Sequence, residues 1–236
     1  MIACAVLGIG IYGPGLADWP AAREVLSGAA AYVRADNAAP PSGLLPPAER
    51  RRATPATRFA LTAAQQALTH AGLDASDVPA VFGSSSGNPD IIHDICAMLA
   101  AGDYQISPTK FHNSVHNAAA GYWSIGTASG APYTAISAFQ YTFAAGLLEA
   151  AMQAVCERKP VLYVAFDIEA KGALATMAPS RGVFGVALVI GPQDGALYVL
   201  VGRRRGKKDP GEAFVRRFDL GSPDRPLEIR VPATSA

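Results

Sequence analysis

The segment "PVLYVAFDIE", residues 160–169, is apolar at almost every position and shows no alternation with polar residues. A strand with one wet face would alternate with a period of two, because successive side chains point to opposite faces. A continuously apolar strand therefore belongs to a sheet covered on both sides, and helices are the usual cover. The rest of the chain supplies them. Residues 2–9 read as a further buried strand. Thr54, Pro55 and Gly72 mark the cap, first turn and end of a long helix, with Ala60, Ala64, Ala67, Leu68 and Ala71 at helical spacing between them. "VPAVFGSSSG" reads as a strand running into a small-residue turn, residues 90–101 as a helix, and "FHNSVHN" as a loop leading into a helix over 117–127. A strand over 132–138 turns sharply into a helix over 140–157, which Pro160 stops. Two late strands, "GVFGVALVIGP" and "GALYVLVGR", are joined by the hairpin turn "PQDG".

Alternation of strands and helices predicts one α/β sheet with helices on both faces, to which the late hairpin adds an antiparallel edge. Residues 36–53, rich in proline and polar groups, read as a surface connection. Residues 1–205 form the domain, and residues 206–236 a polar tail with one further strand at "LEIRV". A chain of 236 residues that is 50% hydrophobic and 17% charged has the material for such a core.

Composition also narrows the function classes. The formal charge of +1 argues against a general nucleic-acid binder. The charge is uneven: residues 203–217 hold seven basic and two acidic residues, which leaves the remainder acidic. Cys4, Cys96 and Cys156 are odd in number, widely spaced and without metal spacing, as in a reducing compartment. No apolar run approaches the roughly 20 residues of a membrane span. "MIACAVLGIG" has no basic residue ahead of its apolar run, so it reads as a strand and the protein as cytoplasmic.

Three motifs match known chemistry by letter and fail on context. "GIGIYG", residues 8–13, has the G-x-G-x-x-G spacing of a dinucleotide site. Pro14 and Gly15 follow at once, where a phosphate-binding helix would have to open, so a tight turn is expected instead. "GSSSG", residues 83–87, matches a nucleophile elbow with Ser85 at its centre, but no histidine follows His116 to serve as base in the usual order. A self-sufficient Ser85 hydrolase is the alternative it leaves open. His112 and His116, four apart, would share a helix face and suit a metal, yet no carboxylate or cysteine adjoins them. They and Asn113 and Asn117 read instead as a hydrogen-bonded loop tie. No cofactor and no metal are expected.

Four segments taken together resemble the N-terminal half of a β-ketoacyl synthase. They are "AVLGIGIYGPG", "TRFALTAAQQALTHAGLD" with "VPAVFGSSSG", "HNAAAGYWSIGTASGAPYTAISA", and "RGVFGVALVIGP", in the family's order. The resemblance implies a three-layer α/β/α thiolase-like half-fold, with a mixed, mostly parallel five-stranded sheet and one antiparallel strand. The family's catalytic cysteine follows Ser-x-Ala-Cys; laid on "ISAFQYTFAAG", that position falls on Gln140. Glutamine there is similar to the chain length factors of type II polyketide synthases, which pair with an active ketosynthase and do not condense substrate. The short form and "FHNSVHNAAAGYW" look most like the factor of aryl polyene (xanthomonadin-type) clusters. The family's two later histidines and glycine-rich loop have no counterpart before Ala236.

Gln140 cannot ionise near neutral pH or hold a thioester, so a polar plug bonded to His112, His116 or a partner is the expectation, with glutamine-promoted malonyl decarboxylation as an alternative. The resemblance implies a heterodimer with a full-length ketosynthase across the strand bearing Tyr133, Thr134 and Ile136. Phe139, Gln140 and Tyr141, with Tyr122 and Trp123, are expected at that interface, closing the partner's acyl tunnel. Acyl carrier protein is an indirect partner, met by the basic run 203–208 unless that run is a solvated turn.

Overall fold

The computed structural model describes residues 4–36, 40, 43–176 and 182–192, and the backbone of 218–219 and 228–229. Strand β1 (Cys4–Tyr12) leads to helices α1 (Trp19–Leu26), α2 (Pro47–Arg52) and α3 (Pro55–Ala71). Strand β2 (Ala80–Gly83) is followed by α4 (Pro89–Ala100), α5 (Pro108–Ser114) and α6 (Ala118–Thr127). Strand β3 (Tyr133–Ile136) enters a 3-10 turn (Phe139–Tyr141), then α7 (Thr142–Glu157), β4 (Val161–Asp167) and β5 (Phe184–Pro192). A two-residue ladder pairs β6 (Phe218–Asp219) with β7 (Glu228–Ile229), inside the expected "LEIRV" strand.

The sheet order is β1-β5-β4-β2-β3. The pairs β4–β2 and β2–β3 are parallel, while β5 is antiparallel to both β1 and β4. Four strands thus share one direction and β5 opposes them, as the mixed sheet was expected to do. The position of β5 corrects the expectation of an antiparallel edge. It lies inside the sheet with both of its edges paired, and its expected hairpin mate, 195–203, falls outside the described residues, as does the domain boundary near 205.

Strand β4 shows why a continuous apolar segment demanded three layers. Leu162, Val164 and Phe166 enter a core under α3 and α6, whereas Val161, Tyr163 and Ala165 face a second core under α7. Each fully buried large aliphatic or aromatic side chain contributes about 1.5–3 kcal/mol relative to exposure, so neither face can be left wet.

Helix α3 has the predicted boundaries. The Thr54 side chain accepts the Thr57 N–H, Pro55 opens the helix, and Gly72 closes it at φ 67°. The alanine stripe of α3 lies against β1 at a distance only glycine tolerates. A Cβ on Gly8 would collide with the Ala67 carbonyl oxygen, and one on Gly10 with that of Ala63. This corrects the reading of "GIGIYG" as a turn. Its first five residues are strand, and the turn comes later, where Gly13 and Leu16 exchange hydrogen bonds of 2.9 Å around Gly15 at φ 72°. The dinucleotide spacing is a packing device.

Helices α1, α2 and α5 were not expected. Helix α2 stands within the proline-rich connection, held by Arg58 donating to the Arg50 carbonyl (2.8 Å) and Arg50 to that of Leu45 (3.0 Å). No described helix is long and apolar enough to cross a membrane.

Candidate functional site

The C-terminal ends of the parallel strands β2, β3 and β4 lie side by side, the usual place for a site in an open α/β sheet. There β3 breaks into the turn 139–141 and α7 begins. Phe139 has φ 51°, in the left-handed region that costs a bulky residue on the order of 1–3 kcal/mol. Nucleophile elbows put the reactive residue on such a strained strand-to-helix turn. The strained residue here is Phe139 and its neighbour is Gln140, so neither position offers a nucleophile.

Hydrogen bonds hold the elbow from two sides. From its own helix, the Thr142 hydroxyl donates to the Phe139 carbonyl (2.7 Å) and accepts the Ala138 N–H (2.9 Å). From the sheet, the Ser85 hydroxyl donates to the same carbonyl (3.2 Å) and the Ser137 hydroxyl to the Ser85 carbonyl (3.2 Å). Asp167, the last residue of β4, accepts from the Ser84 hydroxyl (2.8 Å) and the Ser85 N–H (2.9 Å) through one oxygen. Beneath α7, the Tyr163 hydroxyl donates to the Phe143 carbonyl (2.8 Å), its ring lying where a Cβ on Gly146 would stand. Burial, and after it the charge of Asp167, pushes the Tyr163 hydroxyl well above the usual tyrosine range.

The elbow displays its aromatics. Phe139 is 66% exposed and Tyr141 53%, with Phe143 and Tyr133 also open beside them. Gln140 is exposed and has no hydrogen-bond partner among the described residues, which corrects the expectation that it bonds His112 or His116. Those two histidines are engaged elsewhere. His116 Nε2 donates to the Ser84 carbonyl (2.8 Å), and His112 stands edge-on to Tyr122, ring centroids 5.3 Å apart. They share no helix face, because α5 ends at Ser114, and no cluster of three or more His, Cys, Asp or Glu stands among the described residues. Asn113 performs the expected loop tie, donating to the carbonyls of Arg52 (3.1 Å) and Thr109 (3.0 Å).

Thr134 and Ile136 are half-buried on β3, with Ile136 against the α7-side core. Tyr122 and Trp123 correct a further expectation. At 0% and 3% exposure they are core residues beside Phe82 and not part of a surface. Ser85 is not set up as a hydrolase nucleophile either, for its hydroxyl is given to the Phe139 carbonyl, while the neighbouring Asp167 carboxylate takes its N–H. A cavity of about 720 Å³ lies at the far edge of the sheet, between α1 and α3. The residues that sequence reading missed are Asp167, Ser84, Thr142 and Tyr163. An acid ending a buried strand, level with a serine run ending another, was the available signal.

Residues 24–209 match the model of the beta-ketoacyl synthase N-terminal domain. No match was found among curated proteins. Among solved structures, a ketosynthase in complex with its chain length factor from Xenorhabdus doucetiae superposes with a TM-score of 0.68 at 24% identity, over 83% of this chain and 81% of that chain. A β-ketoacyl synthase from Burkholderia phymatum gives 0.63 at 15% identity, over 82% of this chain and 60% of that one. The ishigamide ketosynthase/chain length factor gives 0.63 at 14%, over 81% and 62%. The chain thus spans less than two thirds of the length of the latter two. At these identities the likeness establishes a ketosynthase-like fold.

Proposed function

The chain belongs to the beta-ketoacyl synthase N-terminal domain family, and we propose that it serves as a non-catalytic subunit of the chain-length-factor type. One observation carries the reading. The elbow presents Phe139 and Gln140, while all three thiols lie elsewhere: Cys4 at the start of β1, Cys96 on α4 and Cys156 at the end of α7. Decarboxylative condensation needs a thiolate to carry the growing chain and donors for the developing oxyanion. A glutamine amide and a phenyl ring supply no such nucleophile.

The partner is a full-length ketosynthase with its own cysteine, joined across the free edge of β3. The carbonyls of Pro132 and Ile136 point to β2, where they accept from Ala80 and Ser84. By the alternation of a strand, Tyr133 and Ala135 direct their N–H and C=O groups outward, as a template for another strand. The exposed rings of Phe139 and Tyr141 then reach the partner's acyl tunnel and limit the product. Aryl polyene synthesis is the pathway this reading favours, with acyl carrier protein met through the ketosynthase. Three free cysteines suit a reducing, cytoplasmic setting.

Native mass of the chain, alone and co-expressed with a candidate ketosynthase from the same gene neighbourhood, tests the reading. A one-to-one complex is expected. A monodisperse monomer that ignores every such ketosynthase overturns it.

A further inference from the structure

We propose that Asp167 is a positioning residue which, through Ser84 and Ser85, fixes where the Phe139 ring stands relative to the sheet and so sets the length limit of the product. The proposal rests on the chain-length-factor reading. Its basis is that the two anchors of the elbow do different things. Thr142 lies three residues from Phe139 and bonds within the turn, so it shapes the turn wherever the turn sits. Ser85 lies on the loop after β2, 54 residues away in sequence, and bonds across to the Phe139 carbonyl. Of the two, it is this second anchor that ties the strained residue to the sheet.

Ser85 is in turn located by Asp167, which accepts its N–H at 2.9 Å and the neighbouring Ser84 hydroxyl at 2.8 Å. Ser84 is buried and fully engaged. Its oxygen also accepts the Gly87 N–H (2.8 Å), and its carbonyl accepts from His116 (2.8 Å). The loop after β2 is thus a fixed body held to the end of β4 by one carboxylate oxygen, and it passes that position on to Phe139. A condensing enzyme would use such rigidity to aim a nucleophile. Here the residue aimed is an exposed phenyl ring, a shape and not a reagent. A ring whose base can shift gives a blurred stop to a growing chain, and a ring held at its carbonyl gives a sharp one.

The experiment uses the complex with its ketosynthase and reads the distribution of product lengths beside the amount of complex. Ser85→Ala and Asp167→Ala are expected to broaden the distribution, raising the share of products longer than the parent's main product several-fold, with the one-to-one mass retained. Ser85→Thr keeps the hydroxyl and Asp167→Asn keeps an accepting oxygen, so both are expected to restore the parent distribution. Phe139→Ala serves as the reference. If Phe139→Ala lengthens products while Ser85→Ala and Asp167→Ala lower only the yield, the positioning role is overturned and the subunit reading stands. If Phe139→Ala also leaves the distribution unchanged, the elbow sets no length and the reading falls with it. Should Asp167→Ala fail to assemble, Ser85→Ala against Ser85→Thr decides alone.

Discussion

The sheet is finished in opposite ways at its two ends. At β1 the outward N–H groups of Ile9 and Ile11 are taken by side chains of α3: His70 Nδ1 accepts the first at 3.1 Å and Gln66 Oε1 the second at 3.0 Å. Gln66 also donates to the Ala17 carbonyl (2.9 Å), drawing the loop before α1 over the same edge. At β3 no described side chain performs that service, and the strand is flanked by the open rings of Tyr133, Phe139, Tyr141 and Phe143. A bare edge invites another strand, and a capped one refuses it. Among the described residues the difference leaves the β3 edge open to another strand, and that is the edge beside the elbow.

The largest expected effect lies on the capped side, where the cap depends on α3 riding close to β1. Gly10→Ala puts a methyl group into the Ala63 carbonyl and within 2.7 Å of the Ala67 nitrogen, so the helix has to retreat. A loss of about 3 kcal/mol is expected, the upper part of the overpacking range and a large share of a domain's stability. Gly121→Ala is the control. A Cβ there meets nothing within 4 Å, and in helix α6 the change should be neutral or stabilising by about 0.5–1 kcal/mol. Urea unfolding of the pair checks this, and equal midpoints would mean that the close approach carries no stability.

The bare side is broken by Ala135→Pro. Proline at this position removes an N–H that points away from β2, so the ladder to β2 survives while pairing with a partner does not. Loss of the one-to-one complex is expected with little change in unfolding midpoint. A complex that persists would move the interface off β3. The converse change strips the cap. Gln66→Ala with His70→Ala leaves two strand N–H groups unpaired at a cost of about 1–3 kcal/mol, and it is expected to give larger assemblies by light scattering where the parent gives none.

Much of this contrast was legible in part and for identifiable reasons. Thr54, Pro55 and Gly72 spelled out α3 because caps are local chemistry, and β4 declared a two-faced sheet because burial on both sides leaves no polar position. The elbow could be read from the switch of period between residues 133 and 150. What stayed hidden depends on residues far apart. Gly8 and Gly10 carry the same letters whether they turn the chain or admit a helix. Tyr122 and Trp123 are apolar, and a short helix does not say which of its faces is inward. Short α2 and α5 carry too few turns to show a period. The bond from Ser85 to Asp167 spans 82 residues, and no spacing rule encodes it.

The smallest effect tests the far side of the elbow, under α7. Tyr163→Phe removes the bond to the Phe143 carbonyl and is expected to cost about 1 kcal/mol near neutral pH. The pH dependence separates this from simple packing. The folded pKa of Tyr163 is raised, first by burial and then by Asp167, so folding favours the neutral phenol. Its stabilising contribution is complete below the unfolded value of about 10 and is lost as pH rises from there toward the folded value. Phenylalanine has no proton to lose, and all other tyrosines are common to both proteins. The stability gap between parent and variant should therefore be constant from pH 7 to 9 and shrink above pH 10, as read by urea unfolding at each pH. A gap that holds its size up to pH 11 would mean that the hydroxyl ionises as freely in the fold as outside it, and that the seat beneath Gly146 is not dry.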